Sequence, residues 1–100
     1  MIDKRLLVVD DDLQYRQSVI IVFKKYFRVD YCGSLESALR LIQNNNYDLV
    51  ITDGAFPETG DHELKNPDNS DYRGSQVADA ARKRGMKVIG ITSEPNKLKN

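Results

Sequence analysis

Two short apolar runs in this chain end in the same way. Leu6-Leu7-Val8-Val9 leads into Asp10-Asp11-Asp12, and Leu49-Val50-Ile51-Thr52 leads into Asp53. A continuous apolar run of this length, with no polar residue alternating through it, fits a strand covered on both faces, the usual state of strands in parallel sheets. If both runs are parallel neighbours, their carboxyl ends lie side by side. That edge is where open α/β sheets bind ligands. The recurrence therefore constrains both the fold and the chemistry at one edge of it.

The segments between the runs have helical periods. Tyr15, Ser18, Val19, Val22, Phe23 and Tyr26 recur at helical spacing and predict a helix over about 12–27, capped by Asp11 or Asp12; Ile20 and Ile21 fall beside this stripe. Arg28 to Cys32 reads as a strand with Val29 and Tyr31 on one face. Ser34 is a good N-cap for a helix over about 35–43, with Leu35, Ala38, Leu39 and Ile42 on its apolar stripe and Asn44-Asn45-Asn46 ending it. The third strand covers Asp48 to Thr52, Val77, Ala78 and Ala81 belong to a helix closed by Gly85, and Lys87 to Thr92 form a fourth strand. The order β-α-β-α-β-loop-α-β implies a parallel sheet with right-handed crossovers.

One hundred residues suit one small domain with little core to spare. Fifteen basic residues balance fifteen acidic ones, so net charge favours neither nucleic acid nor an anionic membrane as partner. A single cysteine, Cys32, allows no intrachain disulfide and fits a reducing cytoplasm. No apolar stretch approaches the length of a membrane span, and none at the start resembles a signal peptide. His62 is the only histidine, which disfavours a zinc site built on several histidines.

Several carboxylates gathered at one sheet edge repel each other and shift each other's titration. A hard divalent cation with oxygen ligands relieves that repulsion, and Mg²⁺ fits best. The alternative, that Asp10-Asp11-Asp12 is only an acid-rich helix N-terminus, leaves the matching position of Asp53 unexplained.

Taken together, Leu7-Val8-Val9-Asp10-Asp11, Asp48-Leu49-Val50-Ile51-Thr52-Asp53, Pro57 and Val88-Ile89-Gly90-Ile91-Thr92-Ser93 resemble the receiver domain of two-component response regulators. The resemblance implies a flavodoxin-like, doubly wound parallel sheet. It implies that Asp53 is the phosphoacceptor, that Asp10 and Asp11 bind Mg²⁺ with Asp53 and the carbonyl of Ala55, and that Thr92 is the switch hydroxyl. Gly54, Ala55 and Ser93 would contact the phosphoryl group, Pro57 would shape the loop after the acceptor, and Gly74 would precede the third helix. The donor would be a histidine kinase or a histidine phosphotransfer protein. With no DNA-binding domain in these residues, output would run through protein contacts.

Two features depart from the family pattern. The fifth strand, its lysine-proline pair and the last helix are not found after the fourth strand, so the expected fold is truncated there, with the fourth strand as an edge open to homodimerisation or strand exchange. An acidic polar stretch from about 58 to 73, broken by Gly60 and Pro67, forms an atypical loop within the single domain. Two other readings compete with the phosphoacceptor. One is a pseudo-receiver that binds without being phosphorylated. The other is a phosphatase of the haloacid-dehalogenase type using Asp10 and Asp12, although Gln14 stands where that family has a smaller residue. Tyr15, Tyr26, Tyr31 and Tyr47 read as core or rim packing, Cys32 as a small core residue, His62 as an exposed loop residue, and Arg82-Lys83-Arg84 as a solvated helix end.

Overall fold

The computed structural model describes residues 3–53 and 73–91. These form four strands and three helices: β1 (Arg5–Val9), α1 (Leu13–Phe23), β2 (Arg28–Cys32), α2 (Leu35–Asn44), β3 (Leu49–Asp53), α3 (Arg73–Lys83) and β4 (Lys87–Ile91). All strand pairs are parallel, in the order β2-β1-β3-β4. The chain is thus an α/β protein, with β1 and β3 as central neighbours and β4 as an edge strand among the described residues.

Strand β1 sits between two apolar layers. Leu7 and Val9 join Val50, Cys32, Leu35, Ala38, Ile42, Val77 and Ala81 on the α2/α3 side. Leu6 and Val8 face the other way with Ile51, against Val19 and Phe23 of α1. The four β1 residues Leu6 to Val9 are fully buried, so neither face tolerates a polar side chain without cost.

The ends of α2 and α3 show why the α2/α3 layer is well defined. Ser34 Oγ accepts a hydrogen bond from the Ser37 amide at 3.2 Å and caps α2. Gly85, at φ 79°, ends α3 in the left-handed conformation that glycine adopts without a Cβ clash. Met86 N–H then donates to Ala81 O at 3.0 Å, and the Met86 side chain is buried in the core. Arg84 is not a solvated end. Its guanidinium donates to the carbonyls of Ile42 and Gln43 and to Asn46 Oδ1, and so binds the last carbonyls of α2 from the end of α3.

Helix α1 is shorter than its sequence stripe predicts. It stops at Phe23, because the chain must turn for Phe27 to pack edge-on against Phe23, with ring centroids 6.1 Å apart, before β2 begins. The sheet-facing stripe is the narrower, half-buried series Tyr15, Val19 and Phe23, flanked by Ile20. Ser18, Ile21, Val22 and Tyr26 point to solvent, and Leu39 of α2 and Tyr31 of β2 are also exposed where packing was expected. In β4, Ile89 pairs in register with Ile51 and so faces the α1 side, where it is 48% exposed. The polar stretch over 58–72 lies outside the described residues, and Arg73 is the first residue of α3.

Arg84→Ala should reduce unfolding free energy by about 1–2 kcal/mol in urea titrations, since it strips charged donors from helix-end carbonyls. A loss below about 0.5 kcal/mol, ordinary for a surface residue, would contradict the assigned role.

Candidate functional site

The register of the sheet builds the site. Leu6, Val8 and Ile51 face α1, and alternation along the strands carries Asp53, two residues beyond Ile51, onto the same face. Asp10 continues β1 in the same sense, held in place by its own amide donating to Cys32 O at 3.0 Å. One carboxylate oxygen from each of Asp10, Asp11 and Asp53 lies within 4.8 Å of the others. The adjacency that the two apolar runs predict therefore brings three of the expected site residues together.

The three consecutive aspartates divide the work. Asp12 Oδ1 accepts from the Tyr15 amide at 3.1 Å and caps α1. Asp10 Oδ1 accepts from the Asp12 amide at 2.8 Å. Asp11 is exposed, and Asp53 is 8% exposed. Asp10 is 1% exposed, and its second oxygen, Oδ2, is buried without a hydrogen-bond partner among the described residues. A buried carboxylate oxygen left without a donor costs free energy, so native structures usually supply one.

Titration reflects that cost. Burial pushes the Asp10 carboxyl up from 3.8 to about 6; the Asp12 amide opposes the shift, and the charges of Asp53, Asp11 and Asp12 add to it. Among the described residues no lysine or arginine offsets it. A second acidic centre, toward the start of β1, is built in the opposite way. There Asp30 Oδ2 accepts from the Arg5 guanidinium at 3.0 Å and from the Tyr47 hydroxyl at 2.6 Å, while the guanidinium lies 5.0 Å from the centre of the Tyr47 ring. Asp30 is thus supplied by protein donors, whereas the buried Asp10 Oδ2 has none among the described residues.

A hard divalent cation suits this donor set. Oxygens around Mg²⁺, at about 2.1 Å from the ion, stand roughly 3–4 Å apart, and the three carboxylate oxygens already lie within 4.8 Å of one another. Asp10, Asp11 and Asp53 can supply those oxygens. Gly54, Ala55, Thr92 and Ser93 lie outside the described residues, as does Pro57. Gly74 falls inside α3, one residue after its start.

Sequence reasoning placed Tyr15 among packing residues only. In the structure it is half-buried, and its phenol is raised above its ordinary range by burial first and then by the charges of Asp10 and Asp53. The signal available in the sequence was its place one helical turn before Val19 on the sheet-facing stripe. No helix among the described residues is long and apolar enough to cross a membrane. Neither a protein-family model nor a curated protein matches the chain.

The raised Asp10 value has a definite sign. The folded state holds this proton more tightly than the unfolded chain, so Asp10 weakens the cation-free protein as pH rises from about 4 to about 6, and the deficit is complete above that. The gap between 3.8 and about 6 corresponds to about 3 kcal/mol. Without divalent cation, Asp10→Asn should therefore be the more stable protein at pH 7, by about 2–3 kcal/mol, with the advantage gone by about pH 4. Paired urea titrations across that range would show it; an Asp10→Asn protein no more stable than the parent at pH 7 would contradict it.

Proposed function

We propose that this chain is a receiver-type signalling module that accepts a phosphoryl group on Asp53 with the help of Mg²⁺. The observation that carries the reading is the convergence of Asp10, Asp11 and Asp53 at the carboxyl edge of β1 and β3, with one buried Asp10 oxygen lacking a donor. The strand order β2-β1-β3-β4 supports it as well, being the first four positions of the flavodoxin-like order.

The chemistry follows from the residues. An Asp53 carboxylate oxygen attacks the phosphorus of a phosphohistidine, forming an acyl phosphate bond while the phosphorus–nitrogen bond breaks and the electron pair leaves with the imidazole. When bound, Mg²⁺ would supply positive charge against the phosphoryl oxygens, which phosphoryl transfer requires. Asp10 and Asp11 would hold the cation beside the acceptor. In this reading Thr92 reorients toward the new anion, while Gly54, Ala55 and Ser93 contact it, as the family resemblance implies. The module works in the cytoplasm with a histidine kinase or histidine phosphotransfer protein and passes its signal on by protein contact.

The competing phosphatase reading draws on Asp10 and Asp12 together. It gains no support from the site, because an Asp12 oxygen caps α1 and the clustered acids are Asp10, Asp11 and Asp53.

Incubation with acetyl phosphate and Mg²⁺, followed by intact-mass and peptide mass spectrometry, should find one phosphoryl group, located on Asp53 and absent from Asp53→Asn or after chelation. Magnesium binding without any modification of Asp53 would replace this reading with that of a binding module that does not accept phosphate.

A further inference from the structure

Three side chains of α1 lie along one stripe, and the strands beneath it set what each one meets. Phe23 and Val19 pack on the face formed by Leu6, Val8 and Ile51. The helix starts directly after β1 and runs back along it, so moving one turn toward its N-terminus moves toward the carboxyl edge of the sheet. The next residue of the stripe in that direction is Tyr15, and the next side chains on that face of β1 and β3 are Asp10 and Asp53. The half-buried Tyr15 thus continues the α1 stripe toward the carboxyl edge, and the charges of Asp10 and Asp53 both act on its phenol. It stays protonated at neutral pH and can donate a hydrogen bond.

We propose that Tyr15 is a positioning residue of this site, its phenol O–H donating to an oxygen of the tetrahedral oxyanion brought against Asp53. Asp10, Asp11 and Asp53 offer only acceptors when ionised, so they cannot themselves hydrogen-bond an anion. A neutral donor on the α1 side corrects that deficit without adding charge.

The inference rests on the phosphoacceptor reading, and one experiment separates the two. Beryllofluoride, a fluoride-bearing tetrahedral mimic of a phosphoryl group that coordinates to carboxylates, is added with Mg²⁺ to the parent protein, to Tyr15→Phe and to Tyr26→Phe, each first shown to melt cooperatively. Fluorine-19 NMR of the bound adduct is then recorded in H₂O and in D₂O. The parent and Tyr26→Phe, which alters an exposed tyrosine, should share a spectrum in which one fluorine line shows a solvent-isotope shift from the phenol proton. Tyr15→Phe should lose that isotope shift and move the same line, or fail to form the adduct although folded. A Tyr15→Phe adduct with unchanged lines and isotope shifts overturns the role of Tyr15 and leaves the phosphoacceptor reading standing. No adduct on the parent protein overturns both.

Discussion

The buried carboxylate of Asp10 is the constraint on which the rest of the structure turns. It stands at the end of a strand with no exposed side chain from Leu6 to Val9, next to a second strand that ends in Asp53. The apolar layers on both faces hold these strands side by side, so the acids cannot move apart without unpairing the centre of the sheet. Hydrophobic burial thus enforces an electrostatic conflict at one edge. The protein donors that settle Asp30 through Arg5 and Tyr47 have no counterpart at Asp10 Oδ2 among the described residues. The fold thus satisfies one acid with protein donors and leaves a buried oxygen of the other without one among the described residues.

The two faces of the sheet have different tasks. On the α2/α3 side the devices are structural: the Ser34 cap, the left-handed Gly85, the buried Met86 and the Arg84 guanidinium that joins two helix ends. On the α1 side the helix is tied to the site itself. Asp12 caps α1 and its amide holds Asp10 Oδ1, so the first turn of the helix and the pocket share a backbone. The charges of Asp10 and Asp53 also reach Tyr15 in the first turns of α1, adding to the effect of burial on its phenol.

Much of this was legible in the sequence because it depends on local pattern. The apolar runs gave the central strands, and the aspartates that follow them gave the site, since strand ends in a parallel sheet lie at a common edge. Ser34 and Gly85 were readable because capping chemistry is local. The α1 stripe is narrower than its helical period predicts: Ser18, Val22 and Tyr26 fit the period, yet they are exposed, and only Tyr15, Val19 and Phe23 turn toward the sheet. Arg84 and the Arg5–Asp30–Tyr47 group were invisible because their partners are 17 to 42 residues distant along the chain. The assignments at Gly54, Ala55, Thr92 and Ser93 rest on sequence resemblance alone.

Everything at this sheet edge turns on whether the three clustered acids gather a divalent cation. The most direct test is a titration with Mn²⁺, a paramagnetic substitute for Mg²⁺, read by amide NMR. Substoichiometric Mn²⁺ should broaden the signals of residues 10, 11 and 53 first, sparing Asp30 and Asp48, and excess Mg²⁺ should restore them. Broadening centred on the acidic 58–71 stretch, or spread evenly over the surface acids, would contradict the account.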